Sequence, residues 1–425
     1  MNDAHEAGAP LRGVRIIDLT HEWAGPHAAR LMADFGAEVI KVEYLKRLDH
    51  MRGARKQGRA YDRQTRFLQL NRNKRSVTLD LRDARDRARF EGLLRLSDAV
   101  ISNSRPGVLE RLRLGYDDLR IVKPDIILMS LSACGQTGPE ASYAGYGGGL
   151  EATSGIQSLT GYLPEEEPRR IRELDVTNGI AAAAALMTAL VRRQLTGHGT
   201  WIDLSEIEAP THALIGEELL ALAVNGEQRR PMGNRDARDA PHGCYPCQGD
   251  DAWVVIAVTS EDMWAAFCEA IGRRDWAEDR RFATRSGRMR HHDELDAAIA
   301  GWTGARSASE VTDLLQRAGV GAGPVMSVAD LAEDPHLQAR RYFQSADAGG
   351  PDLRFPGFPF RLSGGGAAVR APGPALGEGN AYLRHDLLGA PPEAVPAISE
   401  DDIRTDFDLE GEQDAPAYAA GRTKI

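Results

Sequence analysis

Asp175 is the side chain in this sequence best placed to do chemistry. It lies in Glu173-Leu174-Asp175-Val176-Thr177-Asn178-Gly179, just ahead of the small apolar run Ile180 to Met187. An aspartate before a helical run makes a good N-cap, because its carboxylate accepts a backbone N–H left open in the first turn. The same position suits a nucleophile. A helix N-terminus stabilises negative charge by roughly 0.3–1 kcal/mol, which is less than one pKa unit. The carboxylate therefore stays ionised near neutrality, and an ionised carboxylate can attack an activated acyl group. Local sequence leaves both readings open.

Other groups with chemical potential carry less. The cluster Arg72, Lys74 and Arg75 could meet a phosphorylated ligand, although such clusters are more often solvated surface. Cys244-Tyr245-Pro246-Cys247 with nearby His242 has half the ligands of a structural zinc site, and Cys134 and Cys268 are solitary. The pair reads as packing at a strand entry. His291-His292 sits in a charged helical stretch and reads as surface. Gly147-Gly148-Gly149 reads as a flexible loop, one that could let backbone approach a ligand. It lacks the Gly-Lys-Ser/Thr of a nucleotide-triphosphate cradle. The opening strand-helix-strand ends on Glu43, as a dinucleotide site would, but only Ala24-Gly25-Pro26 stands where G-x-G-x-x-G is needed. No G-x-S-x-G elbow is present, so serine hydrolysis is poorly supported.

Composition bounds the setting. The chain has 425 residues, 42% hydrophobic and 27% charged, with a formal charge of −10. That length supplies two to three domains' worth of chain, and the acidic balance argues against general nucleic-acid binding. The four cysteines are too few for a disulfide framework in a chain this long. Met1 to Glu6 is not followed by an apolar run, so no secretory signal is read. The Ala-rich stretch from Ile180 to Val191 is too short to span a bilayer. A cytoplasmic, reducing location is expected, with no membrane and no metal.

Strands and helices alternate through the first part. Val14–Leu19 reads as a strand, Pro26 sits at a helix start, and Ala37–Val42 is the next strand. Arg82–Leu96 reads as a helix, Ala99–Ser102 as a strand, Leu109–Lys123 as a helix stopped by Pro124, and Ile126–Leu131 as a buried strand. Asp175 opens the next helix, and Gly197-His198-Gly199 turns into the strand Thr200–Leu204. This rhythm predicts a parallel sheet covered by helices on both faces. The polar stretch near Gln228 to Asp236 reads as a linker. After it come the strand Trp253–Val258, a helix opened by Ser260, and a capping box at Ser307 to Glu310. Phe355–Ser363 reads as a Pro/Gly-rich hairpin. The expected organisation is a large domain over 1–227, a small α/β domain over 228–328, a return to the large domain over 329–398, and a mobile acidic tail over 399–425.

The ordered series of these segments resembles one family. It comprises Leu11–Glu43 with its Thr20-His21-Glu22-Trp23-Ala24-Gly25-Pro26, then Asn71 to Leu81, Asn103-Ser104-Arg105-Pro106-Gly107, Gly135-Gln136-Thr137-Gly138-Pro139, Asp175, and Thr196 to Asp203. The series is similar to the family III CoA-transferases, the CaiB/BaiF family, from about Leu11 to about Leu388. The resemblance implies a Rossmann-like parallel-sheet large domain plus a smaller α/β domain, with the C-terminal part rejoining the first, in an interlocked homodimer. It implies no prosthetic group. Coenzyme A and acyl-CoA act as substrates beside a carboxylic acid.

In that family the aspartate matching Asp175 is the nucleophile. It attacks a donor acyl-CoA to give a mixed anhydride and CoA thiolate, which returns to leave an aspartyl-CoA thioester. The resemblance also implies CoA contacts at His21, Trp23, Ala24, Tyr44, Leu79, Asp80, Leu81, Arg82, Asn103, Ser104, Arg105, Arg111, Gly145, Tyr146, Gly147 and Gly148. Backbone amides near Gly147 or at His242-Gly243 are the expected oxyanion donors. There are departures from the formyl-CoA transferase members. Trp23 replaces a glutamine, Tyr44 replaces a phosphate-binding arginine that Lys46 or Arg47 would substitute, and Ala240-Pro241-His242-Gly243 stands where a glycine-rich loop is found. Oxalate and formate are therefore not the expected pair; Trp23, Tyr44 and Tyr146 point to an acid larger than formate. Two alternatives share the fold. An α-methylacyl-CoA racemase needs a histidine base where this chain has Tyr146, and a phenol of pKa about 10 is a poor base at neutral pH. The other is a CoA-binding partner subunit without catalysis, against which the presence of Asp175 counts.

Overall fold

The computed structural model describes residues 8–163, 166–346, 353–391 and 395–405. These described residues divide into two compact units, one drawn from within 1–156, 172–226 and 340–425, the other from within 157–171 and 227–339.

The first unit is built on six parallel strands, β1 (Arg15–Asp18), β2 (Glu38–Glu43), β3 (Lys74–Thr78), β4 (Ala99–Ser102), β5 (Ile127–Ser132) and β6 (Thr200–Ser205). Their spatial order is β3-β2-β1-β4-β5-β6. Neighbouring apolar residues within each strand face opposite ways, so both sides of the sheet must be covered. Ile16, Val39, Ile101, Ile127 and Met129 pack on one side against Ala28 and Met32 of helix α1 (Ala24–Asp34). Ile17, Ile40, Val77, Val100 and Leu128 pack on the other side against Phe90 and Leu93 of α2 (Ala84–Arg95) and Leu119 of α3 (Tyr116–Val122). The long helix predicted from Arg82 is thus shorter, starting after Asp83, whose carboxylate accepts from Arg85 and Asp86 N–H. The helix predicted over Leu109–Lys123 is two pieces, Val108–Arg111 and α3, because Arg113 takes a φ of 53° between them and Gly115 re-enters extended.

Gly147-Gly148-Gly149 is not a loop but the first turn of α4 (Gly147–Thr153). Four residues that follow, Leu150 to Thr153, favour the helix enough to carry the glycines with them. Beyond it lies α5 (Leu174–Thr196), 23 residues long, ending on Gly197 at a φ of 73°. It is long and apolar enough to cross a membrane, longer than the run read from sequence, but Ala182, Ala183, Leu186 and Ala189 are buried in the core beside α1. The two helices touch closely at Gly179, where an added Cβ would lie 2.4 Å from His27 Cδ2. After β6 come α6 (Glu208–Leu214) and α7 (Gly216–Asn225).

The C-terminal segment returns to this unit through specific bonds. Arg72 pairs with Asp34 at 2.7 Å and donates to the Pro356 carbonyl at 2.6 Å, and Thr78 N–H donates to Asn380 Oδ1 at 2.8 Å. The hairpin read at Phe355–Ser363 instead pairs β10 (Phe343–Ala346) with β11 (Leu353–Pro356), Gln344 opposite Phe355. Alternation in Phe343–Ala346 is too short to be recognised in sequence alone. The start of the segment read as a mobile tail is docked. Ile403 is fully buried beside Leu48 and Tyr61, and Arg404 N–H donates to the Leu45 carbonyl at 2.7 Å. The remainder, 406–425, lies outside the described residues.

The second unit has a three-stranded antiparallel sheet, β7 (His242–Pro246), β8 (Trp253–Ala257) and β9 (Gly321–Pro324), with β8 central. Tyr245, Val254 and Ile256 pack on Trp264 and Phe267 of α8 (Glu261–Ala270), on Leu295 and Ile299 of α9 (His292–Thr303), and on Val311 and Leu315 of α10 (Ala308–Arg317). The capping box at Ser307 and Glu310 forms as read. His292 corrects the surface reading: it is buried, 3.6 Å from Asp296, on the inward stripe of α9. Cys244 lies on β7 and Cys247 immediately after it, the latter buried in this core.

Candidate active site

A sheet in the order found here reverses its winding between β1 and β4, and ligands of such sheets bind beyond the carboxyl ends of the strands at that point. A cleft of about 740 Å³ opens there. Its walls are the segments that follow every strand: His21, Trp23 and Ala24 after β1; Tyr44 and Arg47 after β2; Leu79, Asp80, Leu81 and Arg82 after β3; Asn103, Ser104 and Arg105 after β4; Ser132 and Ala133 at the end of β5; Glu206 after β6. Tyr143, Gly145, Tyr146 and Gly147 and the first turn of α5, with Asp175, complete it.

The two loops at the reversal are bonded to each other. His21 N–H donates to Asn103 Oδ1 at 2.9 Å, and Asn103 Nδ2 donates back to the His21 carbonyl at 2.7 Å. Burial pushes the His21 imidazole below its usual pKa, so it is neutral at pH 7. Gly25 is required beside them, since a Cβ there would lie 2.7 Å from the Thr20 side chain. Glu22 next to it holds a φ of 66° and pairs with His50 at 2.7 Å on the cleft wall.

Beneath the cleft floor lies a network of buried charge. Lys74 Nζ reaches Asp18 at 2.7 Å, the Pro26 carbonyl at 3.0 Å and Asn71 Oδ1 at 2.9 Å. Asp18 in turn accepts from Thr20 N–H and Oγ, fixing the turn into His21. Lys41 donates to the Thr20 carbonyl at 2.6 Å and pairs with Asp49 at 3.0 Å. Arg52 makes two 2.7 Å bonds to Glu43 and lies over the Phe67 ring at 3.7 Å, holding the end of β2 beside Tyr44. The basic cluster read as surface is therefore divided. Lys74 and Arg72 are buried and structural, and Arg75 lies over the Tyr382 ring at 4.4 Å.

Asp175 is the second residue of α5 rather than its N-cap, which is Glu173. The half-buried carboxylate thus belongs to the first turn and lines the cleft. One turn on, Asn178 is fully buried and donates through Nδ2 to the Glu206 carbonyl at 3.0 Å. This bond ties the helix start to the end of β6 and brings Asp175 and Glu206 into one wall. Burial, with the Asp175 charge adding to it, pushes the Glu206 carboxyl up to about 7.

Most side chains expected to contact CoA converge here. Arg111 does not line the cleft; it is exposed, with its guanidinium near Gly107. Gly148 sits one position into α4, behind Gly147. Of the two cations weighed against Tyr44, Arg47 lines the cleft, while Lys46 donates to the Asp402 carbonyl at 3.0 Å. His242 and Gly243 open β7 of the other unit. Sequence reasoning missed Glu206, and also Glu22 with His50. For Glu206 a signal existed: an acid immediately after a strand in a sheet whose strand ends form the site. Among the described residues no group of His, Cys, Asp and Glu is arranged to hold a metal.

The family model for CoA-transferase family III matches residues 11–380. The chain belongs to that family. As a CoA-transferase it is an enzyme whose substrates are CoA thioesters. It is 35% identical over 400 residues to the succinyl-CoA–D-citramalate CoA-transferase of Chloroflexus aurantiacus, covering 93% of this chain and 96% of that protein. It is 34% identical over 390 residues to the acetyl-CoA:oxalate CoA-transferase of Acetobacter aceti, covering 91% and 97%. The crystal structure of a CaiB/BaiF family protein from Brucella suis superposes with a TM-score of 0.80 at 30% identity, covering 89% of this chain and 99% of that one. The resemblance read from the motif series and the α/β fold it implied are borne out.

Proposed function

We propose that this family III enzyme moves CoA from a short acyl-CoA to a small dicarboxylic acid through a thioester on Asp175. The observation that carries this reading is the position of Asp175 in the first turn of α5, on the wall of a cleft that Arg47, Arg82 and Arg105 also line. The relatives named above act between succinyl-CoA and D-citramalate, and between acetyl-CoA and oxalate, which supports the substrate class.

In the first half, an Asp175 oxygen attacks the thioester carbonyl and the C–S bond breaks, giving a mixed anhydride and CoA thiolate. The thiolate attacks the aspartyl carbonyl and expels the donor acid as its carboxylate. In the second half the acceptor carboxylate attacks the aspartyl-CoA thioester, and the released thiolate attacks the acceptor's carbonyl, restoring Asp175. Each bond broken is replaced by one of similar energy, so no nucleotide is consumed. The helix N-terminus favours the ionised nucleophile, and the Gly147 N–H at the start of α4 is a candidate donor to the oxyanion. His21, Trp23, Ala24, Tyr44, Leu79 to Arg82, Asn103 to Arg105, and Gly145 to Gly147 would contact CoA, with the arginines of the lining taking its phosphates. A cytoplasmic homodimer is part of the same reading. The four unpaired cysteines support the location. The α7 residues Leu219, Leu220, Leu222 and Val224, each about half exposed or more, support burial against a second copy.

The test is the purified chain with succinyl-CoA or acetyl-CoA against a panel of carboxylic acids. CoA transfer to a dicarboxylate is expected, and the Asp175 peptide should carry a hydroxylamine-labile adduct. Turnover without that adduct would refute the covalent route.

A further inference from the structure

A second cavity lies in the first unit and shares no lining residue with the cleft. It holds about 250 Å³, a third of the 740 Å³ of the cleft. Helix α1 runs from one to the other. Ala24 at its start lines the cleft, and Phe35 at its end meets Phe358 at 4.8 Å and Phe360 at 6.0 Å on the wall of the second cavity. Its 11 residues put roughly 16 Å between the two. Three arginines converge on this cavity. Arg340 and Arg341 precede β10, and Arg361 follows β11. No Asp or Glu is among the described residues that line it, and none of the three is paired with a carboxylate among the described residues. In a chain with 62 acidic and 52 basic residues, where Arg52, Arg72 and Arg193 are each held by acids, this is a place prepared for an anion. Cations brought together repel, and a bound anion removes that repulsion.

Arg341 supplies a second observation. Its backbone is left-handed, at a φ of 50°, a conformation that glycine or asparagine holds at less cost. An arginine at such a position points to a use for its side chain. The frame around it is fixed. The Tyr342 carbonyl accepts from Gly357 N–H at 2.8 Å, and a Cβ on Gly357 would lie 2.3 Å from that oxygen. Gln344 Oε1 accepts from Val369 N–H at 2.8 Å, so the amide is oriented and its NH2 group is left to donate. The apolar wall narrows the ligand. Phe360 and Leu362 line the cavity with about half of their surface exposed, and Phe360 is braced by Phe358 at 4.7 Å. Inorganic phosphate or a polycarboxylate would leave that surface bare. A dianionic phosphate joined to a flat ring uses both the arginines and the aromatic wall.

We propose that this second cavity binds a nucleoside phosphate group, with the phosphate on Arg340, Arg341 and Arg361 and the base against Phe360. Two sources carry that chemistry, a free nucleotide and the phosphoadenosine end of a CoA molecule other than the one in the cleft. The site stands apart from the CoA-transfer reading, since none of its residues lines the cleft.

The test is photolabelling of the full-length chain with 8-azidoadenosine 5′-monophosphate, mapped by peptide mass spectrometry. Label is expected within residues 340–344 or 358–367. The concentrations of AMP, CoA and inorganic phosphate that protect those peptides then report on this cavity alone, whatever binds in the cleft. AMP should protect at lower concentration than phosphate. Protection by AMP and not by CoA assigns the site to free nucleotides, and protection by CoA at equal or lower concentration assigns it to the phosphoadenosine end. Arg361→Gln should raise the protecting AMP concentration about tenfold. Phe360→Leu should raise it about fivefold and leave protection by phosphate unchanged. Arg341→Gly should weaken AMP as Arg361→Gln does without lowering the thermal unfolding midpoint, because glycine fits the left-handed backbone. Label confined to cleft segments such as 79–82 and 103–105, phosphate protecting as well as AMP, unchanged protection in the arginine variants, or a lowered midpoint in Arg341→Gly would each overturn the proposal.

Discussion

Replacing Lys74 by methionine should cost more stability than its sequence position predicts. Lys74 is 3% exposed and Asp18 is fully buried. Lys74 and Lys41 hold the Asp18 carboxyl below its usual pKa against the opposing effect of burial. Burial brings Lys74 down to about 8, so both partners remain charged at pH 7. Lys74→Met leaves a buried carboxylate bonded only to Thr20 and facing Lys41 at a distance. Breaking a buried pair in this way costs about 3–5 kcal/mol, and the residual pull of Lys41 places the expectation near the lower end. The double variant Asp18→Asn, Lys74→Met keeps the acceptor for Thr20 without a charge and should recover most of the loss. The sign with pH follows. The lowered Asp18 pKa contributes stability above its unfolded value of about 3.9, lost as pH falls through the folded value. In Lys74→Met the carboxyl's pKa rises, so the variant's deficit should shrink between pH 7 and pH 5 as the acid takes up a proton. Urea unfolding at both pH values measures this. A single-variant deficit under about 1 kcal/mol, or a double variant no more stable than the single, would refute the claim that this pair supports the cleft floor.

Asp175→Ala should abolish CoA transfer while keeping the fold, since Asp175 is not the cap of α5; near-normal turnover would remove it from the mechanism. Gly179→Ala, although alanine is the better helix former by about 1 kcal/mol, should destabilise by about 1–3 kcal/mol through the clash with His27; a raised midpoint in thermal unfolding would show that α1 and α5 are free to move apart. A 2-methylacyl-CoA should not exchange its α-hydrogen with deuterated solvent, because Tyr146 stands where a base would be needed, and brisk exchange by mass spectrometry would move the chain to racemase chemistry. Light scattering should find a dimer that persists on dilution; an active monomer would refute the interlocked assembly.

Local signals in the sequence determined much of this protein. Apolar runs marked β1, β2, β4 and β5, and the turn at Gly197-His198-Gly199 marked β6, whereas β3, Lys74-Arg75-Ser76-Val77-Thr78, has too few apolar residues to be read as a strand. Ser260, Ser307 and Gly197 marked helix ends through capping chemistry that acts over a few residues. The motif order identified the family and singled out Asp175, and most of the residues read beside it do line one cleft. What the sequence left open depends on residues distant in the chain. Whether Lys74 and Arg72 are solvated or buried is decided by Asp18 and Asp34 on other elements. His292 is buried because α9 turns that stripe toward β7, and Ser399 to Thr405 docks because Leu45 and Tyr61 offer it a partner and a pocket. Glu206 shows the difference most plainly. A glutamate after a strand is ordinary in sequence. Only the strand order, and the Asn178 bond that draws α5 onto the end of β6, set it against Asp175 in a half-buried wall where burial raises its pKa to about 7.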